Sequence, residues 1–267
     1  MSAVDDLFPT PRHAELAQAL VGLFAAEADL SAALLGGSLA RSRGHPTSDV
    51  DLLLLIPDSQ LLSYRARDRA PKFAAIGAGR VEMEPDGVTL DFGGLAAHVW
   101  MTDGDLRPRT AGAVLDDPFE LEVAALFVNA RVLLDRDGRY GQLRARYVPF
   151  YDEALRQARL LALEGEFADH CAAVETLAGR GLHFAGLDRL LTAFRAFVLG
   201  LFLARRRYPL DLLKHLEEQV AEGLARPELL PALRSVLALP ELDGPALAER
   251  AARLRALWAA EVLKARA

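Results

Sequence analysis

Cysteine is almost missing from this chain: Cys171 is the single one in 267 residues. One thiol closes no internal disulfide and cannot build a cysteine-based zinc site, so a reducing, cytoplasmic setting is expected. Lysine is nearly as scarce, occurring only as Lys72, Lys214 and Lys264. Arginine supplies the other basic positions. Even so, 37 acidic residues outnumber 31 basic ones, for a net charge of −6. A protein that grips bulk nucleic acid by its phosphates needs the opposite balance, so bulk nucleic acid is not an expected partner. Long hydrophobic runs are also missing. The longest, Ala196 to Ala204, has nine residues, where about twenty are needed to span a bilayer. Met1 to Thr10 carries Asp5 and Asp6 and no basic stretch, so neither a signal peptide nor a membrane partner is expected.

What is present is a foldable chain. At 52% hydrophobic and 25% charged, it has an ordinary globular composition and a length suited to one large or two small domains. Leu16, Leu20, Leu23 and Phe24 predict an amphipathic helix over 12–29. Ala32 to Leu35 is a short apolar run that stops at Gly36-Gly37, and Ser38 is expected to N-cap a short helix. Residues 50–56 predict a strand buried on both faces, and 59–76 a helix. Val81 to Glu84 and Val88 to Phe92 alternate around Pro85-Asp86-Gly87, which predicts a hairpin. His98 to Met101 adds a strand, 118–130 a helix and 131–134 a last strand. Beyond residue 143 only helical patterns remain, over 151–179, 184–206, 210–224, 227–237 and 245–264, with prolines between several of them. The expected architecture is α+β: a small mixed sheet with helices over 1–143, then an all-helical domain over 144–267. Charge divides similarly. Residues 1–140 hold 21 acidic and 13 basic side chains, and 141–267 hold 16 and 18.

One constellation points to chemistry. Leu35-Gly36-Gly37-Ser38 is followed, after ten residues, by Asp49-Val50-Asp51-Leu52. Paired glycines let the backbone turn tightly and approach a ligand closely. A helix opening at Ser38 would present free N–H groups to an anion. Asp49 and Asp51 stand two apart on a strand, so both carboxylates leave the same face. Two hard oxygen ligands side by side suit Mg²⁺, which binds one or two carboxylates together with substrate phosphates.

These residues match the signature of the nucleotidyltransferase superfamily, with its DNA polymerase β-like fold. The small sheet followed by helices is similar to the antibiotic branch, which includes the kanamycin, other aminoglycoside and lincosamide enzymes. The motif covers only Leu35 to Leu52. The resemblance implies a first domain that is catalytic and a helical second domain that contacts nucleotide and acceptor. It also implies two Mg²⁺ ions and ATP as co-substrate, with a nucleoside monophosphate moved onto a hydroxyl of a small acceptor as pyrophosphate leaves. Members carry a third carboxylate on a later strand. Asp91, expected mid-strand between Leu90 and Phe92, is the candidate to join Asp49 and Asp51 as metal ligand and catalytic residue, with Glu82 and Glu84 as rivals. Asp91 or one of these glutamates would take the hydroxyl proton. Gly36, Gly37, Ser38 and Arg41 would contact the triphosphate. Lys214 resembles a lysine that the helical domain supplies to the same end.

Other residues have plainer readings. His98 fits a core histidine, and Phe194, Phe197, Leu201 and Phe202 a helical core face. Glu164, Glu166 and Asp169 suit either an acceptor contact or a solvated helix face. The alternatives to a small acceptor are transfer onto a protein or RNA, and a non-catalytic nucleotide-binding or antitoxin-like module. The motif does not encode the acceptor.

Overall fold

In a computed structural model of the chain, residues 7–109 and 113–266 are described. Asp5 and Asp6 lie outside them. The apolar stripe of the first helix, α1 (Pro11–Ala25), buries Leu16, Leu20 and Phe24. Next come β1 (Ala32–Leu35), the short α2 (Gly37–Ala40) and β2 (Val50–Leu55). The helix expected over 59–76 is two, α3 (Asp58–Arg65) and α4 (Ala70–Ala75). The break is tertiary in origin. Between them Arg69 is drawn inside to meet Glu27 at 2.8 Å and to donate to the Tyr64 carbonyl at 2.7 Å, and Pro71 opens the second helix.

The predicted hairpin forms as β3 (Arg80–Glu84) and β4 (Gly87–Asp91), followed by β5 (Ala96–Thr102). The expected helix over 118–130 divides into α5 (Phe119–Val123) and a π-helical turn at Ala124–Val128. Then come β6 (Arg131–Asp135) and α6 (Arg139–Tyr147). The strands form one mixed sheet in the order β3-β4-β5-β2-β1-β6. The pair β2–β5 is parallel and the other neighbours are antiparallel.

The two faces of this sheet differ. Leu52, Leu54, Val88, Leu90, Ala97 and Val99 join Leu16, Leu20 and Phe24 of α1 in a single core. The alternate positions of β5, namely Ala96, His98 and Trp100, are partly or fully exposed. Strand alternation produces this split, with every second side chain turned from the core.

The chain divides into two compact units, Met1–Leu106 with Val123–Val148, and Arg107–Glu122 with Pro149–Ala267. The second is helical: α7 (Glu153–Gly179), α8 (His183–Ala204), α9 (Leu216–Glu218), α10 (Leu230–Leu237) and α11 (Gly244–Trp258). Phe194, Phe197, Leu201 and Phe202 are buried as expected. Phe167 of α7 stacks on Trp258 of α11 at 4.3 Å. A side chain at Gly200 of α8 would strike that tryptophan, its Cβ lying 2.8 Å from the ring.

The segment 107–122 joins this unit through α7. Arg159 binds Glu120 at 2.5 Å and Asp117 at 2.9 Å. Glu166 accepts from the Val114 and Leu115 amides at 2.5 and 3.1 Å. Glu166 thus uses both carboxylate oxygens to hold the backbone of that segment. Burial pushes the Cys171 thiol up to about 11, so it stays an inert core group. No helix among the described residues is long and apolar enough to cross a membrane.

Candidate active site

The turn after β1 and the start of β2 are tied by backbone and by shape. The Gly36 amide donates to the Asp51 carbonyl at 2.8 Å, extending the β1–β2 ladder past Leu35 and Leu52. Gly37 has φ +61°, and a Cβ there would lie 1.8 Å from Asp51 Oδ2. Its backbone conformation and the missing side chain both call for glycine. The second glycine of the motif thus makes room for the second aspartate. Gly36, not Ser38, is the N-cap of α2, because the helical turn starts at Gly37. Ser38 lies inside that turn.

The loop leading to Asp49 is pinned from behind. The Ser38 hydroxyl donates to Ser48 Oγ at 3.1 Å, and the His45 amide donates to the same oxygen at 2.9 Å. His13, buried on α1, lies with Nε2 2.9 Å from the Ser48 carbonyl and Nδ1 2.7 Å from Thr10 Oγ1. A carbonyl only accepts, so Nε2 is the donor and Nδ1 accepts from the threonine hydroxyl. The sequence offered no sign of this clamp, because residue 13 belongs to a separate helix.

Asp49 and Asp51 share a face, as their spacing requires. Asp49 is exposed, Asp51 is half-buried, and Val50 between them is buried. Asp51 lies beside His98 in the parallel pairing of β2 with β5, and His98 lies beside Thr89 in the pairing of β5 with β4. His98 is no core residue. Its side chain is 33% exposed, with Nε2 3.5 Å from Asp49 Oδ2. Nδ1 lies 3.0 Å from Thr89 Oγ1, and the Thr89 hydroxyl donates to Glu84 Oε1 at 2.6 Å.

Asp91 stands elsewhere. It is the last residue of β4, with β5 between its strand and β2. It is exposed, and it accepts from the Gly94 amide at 3.1 Å. The strand ends at this carboxylate, which faces solvent and the turn. Glu82 is exposed and paired with Arg80 on the edge strand. Arg41 caps the C-terminal end of α2 and is half-buried. Lys214 belongs to the helical unit and is exposed. It lies in a turn ahead of α9 rather than on the expected helix over 210–224, and its amide donates to Asp211 at 2.7 Å.

The structure thus brings together Gly36, Gly37, Ser38, Asp49 and Asp51, and adds His98. Two carboxylates on one face, one of them seated against the glycine turn, are a donor set that would suit a hard divalent ion such as Mg²⁺. Among the described residues no group of three or more His, Cys, Asp or Glu side chains is placed to hold a metal. A three-carboxylate cage with Asp91 is therefore not assembled.

No family model and no curated protein matches the sequence. The fold is similar to that in the crystal structure of a nucleotidyltransferase-like protein from Exiguobacterium sibiricum 255-15. The match has a TM-score of 0.50 and 14% identity, over 94% of this chain and 77% of that one.

Proposed function

We propose that this chain is a Mg²⁺-dependent nucleotidyltransferase that moves a nucleoside monophosphate, AMP from ATP, onto a hydroxyl of a small acceptor in the cytoplasm. The observation that carries this reading is the fit of Asp51 against Gly37. The glycine turn and the carboxylate proposed to hold the phosphate's counter-ion are built as one piece, because Asp51 Oδ2 fills the space that a side chain at Gly37 would take.

In this reading Asp49 and Asp51 hold Mg²⁺. When bound, the ion supplies charge neutralisation to the triphosphate and polarises its α-phosphorus. Gly36 and Gly37 are proposed to meet the phosphates through their backbone, and the Ser38–Ser48 link keeps the loop in place. Arg41 is a proposed phosphate contact. The acceptor hydroxyl attacks the α-phosphorus in line, and pyrophosphate leaves. Catalysis of this kind rests on positioning and charge stabilisation. Residues 1–140 hold 21 acidic and 13 basic side chains. That balance favours a cationic acceptor, such as an aminoglycoside-like molecule, once the triphosphate and its metal have bound.

The test is pyrophosphate release with Mg²⁺ and each of the four ribonucleoside triphosphates, with and without pooled aminoglycosides and lincosamides. Acceptor-dependent release is expected. Asp51→Asn should lower it at least about 10²-fold, the scale on which single electrostatic groups act. A folded Asp51→Asn protein that turns over normally would overturn the mechanism. Release that requires a protein or RNA acceptor would move the substrate class.

A further inference from the structure

Four strands and the residue that leads into one of them bring five polar side chains to one face of the sheet. Asp51 comes from β2 and Asp49 from the residue just ahead of Val50, His98 from β5 and Thr89 from β4, with Glu84 at the end of β3. Asp51, His98 and Thr89 occupy one row of the sheet. The protons in this row can be assigned from donor counts. A threonine hydroxyl has one proton, and that of Thr89 goes to the Glu84 carboxylate at 2.6 Å. Thr89 Oγ1 must then accept from His98, so His98 Nδ1 carries a proton. In the neutral ring this leaves Nε2 with its lone pair.

That lone pair is directed to the side of the sheet where Asp49 and Asp51 project. Nε2 lies 3.5 Å from Asp49 Oδ2, beyond ordinary hydrogen-bond length. A hydroxyl about to attack a phosphorus held beside Asp49 and Asp51 would approach this nitrogen. The order carboxylate–hydroxyl–imidazole follows the logic of a catalytic triad, in which a buried or hydrogen-bonded partner sets the tautomer and the far nitrogen does the chemistry.

We propose that His98 Nε2 takes the proton of the acceptor hydroxyl, and that Thr89 and Glu84 are positioning residues that hold the imidazole in the required tautomer. This rests on the nucleotidyltransferase reading and replaces Asp91 and the glutamates in the role of base. In the step, the bond from the acceptor oxygen to the α-phosphorus forms. The bond from the α-phosphorus to the pyrophosphate oxygen breaks, and its electron pair leaves with pyrophosphate. The hydroxyl proton passes to His98 Nε2 and then to solvent.

Two measurements on the full chain test it. The first is the ring nitrogen spectrum of protein labelled with ¹⁵N-histidine, with His98 assigned through His98→Gln. The neutral ring is expected to be protonated at Nδ1 in the wild type and in Thr89→Ser, which keeps the hydroxyl. Thr89→Val is expected to move the proton toward Nε2. A neutral wild-type ring protonated at Nε2 would make His98 a plain partner of Asp49 and overturn the proposal.

The second measurement is acceptor-dependent pyrophosphate release. His98→Gln should lose about 10²–10³-fold in kcat, within the range for a positioned general base, with the KM for the triphosphate unchanged. Added imidazole should restore part of the rate of His98→Ala. If the wild type turns over and His98→Gln matches it, the proposal fails and the nucleotidyltransferase reading stands. If the wild type releases no pyrophosphate with any triphosphate and acceptor, that reading fails and takes this proposal with it.

Discussion

In the helical unit, Asp117 and Glu120 are buried and locked to Arg159, which also lies inside. Tyr151 adds its hydroxyl to Glu120 at 2.9 Å, and burial, with Glu120 beside it, pushes that phenol up. On the open face of the sheet, Asp49 is half exposed and meets one imidazole edge at 3.5 Å, while Glu84 takes a single threonine hydroxyl. The two regions use similar side chains to opposite ends. Inside, a carboxylate loses its water and needs a complete set of partners in return. Outside, a carboxylate keeps its water and remains available to a ligand. The first arrangement governs stability and the second governs binding.

Breaking the inner network should have the largest effect on stability. Arg159→Ala leaves two buried carboxylates facing each other without a counter-charge. A loss of about 3–5 kcal/mol is expected in urea unfolding, with pyrophosphate release per folded molecule unchanged. A loss below about 1 kcal/mol would erase the contrast between the regions.

Glu27 shows that burial sets the rule, whichever unit holds the charge. It lies in the sheet unit yet is buried, and Arg69 and Lys72 reach it at 2.8 and 3.1 Å. Burial alone would raise its carboxyl, but the hydrogen bonds from Arg69 and Lys72 outweigh it and hold the group at about 2. A carboxyl lowered in the folded state stabilises above its unfolded value and loses that contribution as pH falls. Unfolding free energy should therefore drop by about 3 kcal/mol between pH 4.5 and about 2. Glu27→Gln should flatten this slope in acid denaturation. An equal slope in the variant would assign the acid loss to other groups.

Gly37→Ala joins the two behaviours at one position. Left-handed backbone and the added methyl should together cost about 1–2 kcal/mol. Asp51 would also be pushed out of its seat, so Mg²⁺-dependent triphosphate binding should fall in calorimetry. Intact binding in this variant would show that the turn and the aspartate work separately.

The smallest effect is expected at the exposed pair of Arg255 and Glu175, 39% and 47% accessible. Arg255→Ala should change unfolding free energy by less than about 1 kcal/mol, because water and salt screen such pairs. A larger loss would mean that exposed pairs also carry the fold.

Much of this was legible from residue order. The hairpin follows from alternation around Pro85-Asp86-Gly87, and Phe194, Phe197, Leu201 and Phe202 follow from helical spacing. The break between α3 and α4 was not legible, because Arg69 leaves the helical pattern to satisfy a glutamate on a different element. Asp91 misleads for a related reason. Its flanking leucine and phenylalanine extend the apolar alternation past the residue where pairing stops, so a strand-end carboxylate resembles one inside a strand. His98 looks like a core residue until its neighbours are known.

The sequence by itself determined what lies within a few residues: the glycine turn, the apolar strand behind it, and Asp49 and Asp51 on one face. These follow from backbone sterics and the two-residue period of a strand, which act over short distances. Only the tertiary structure decided which side chain would stand beside Asp51. The register of β2 against β5 selects His98 and leaves Asp91 a strand further away. That register is set by hydrogen bonds and core packing between segments far apart in the chain, which no local spacing encodes.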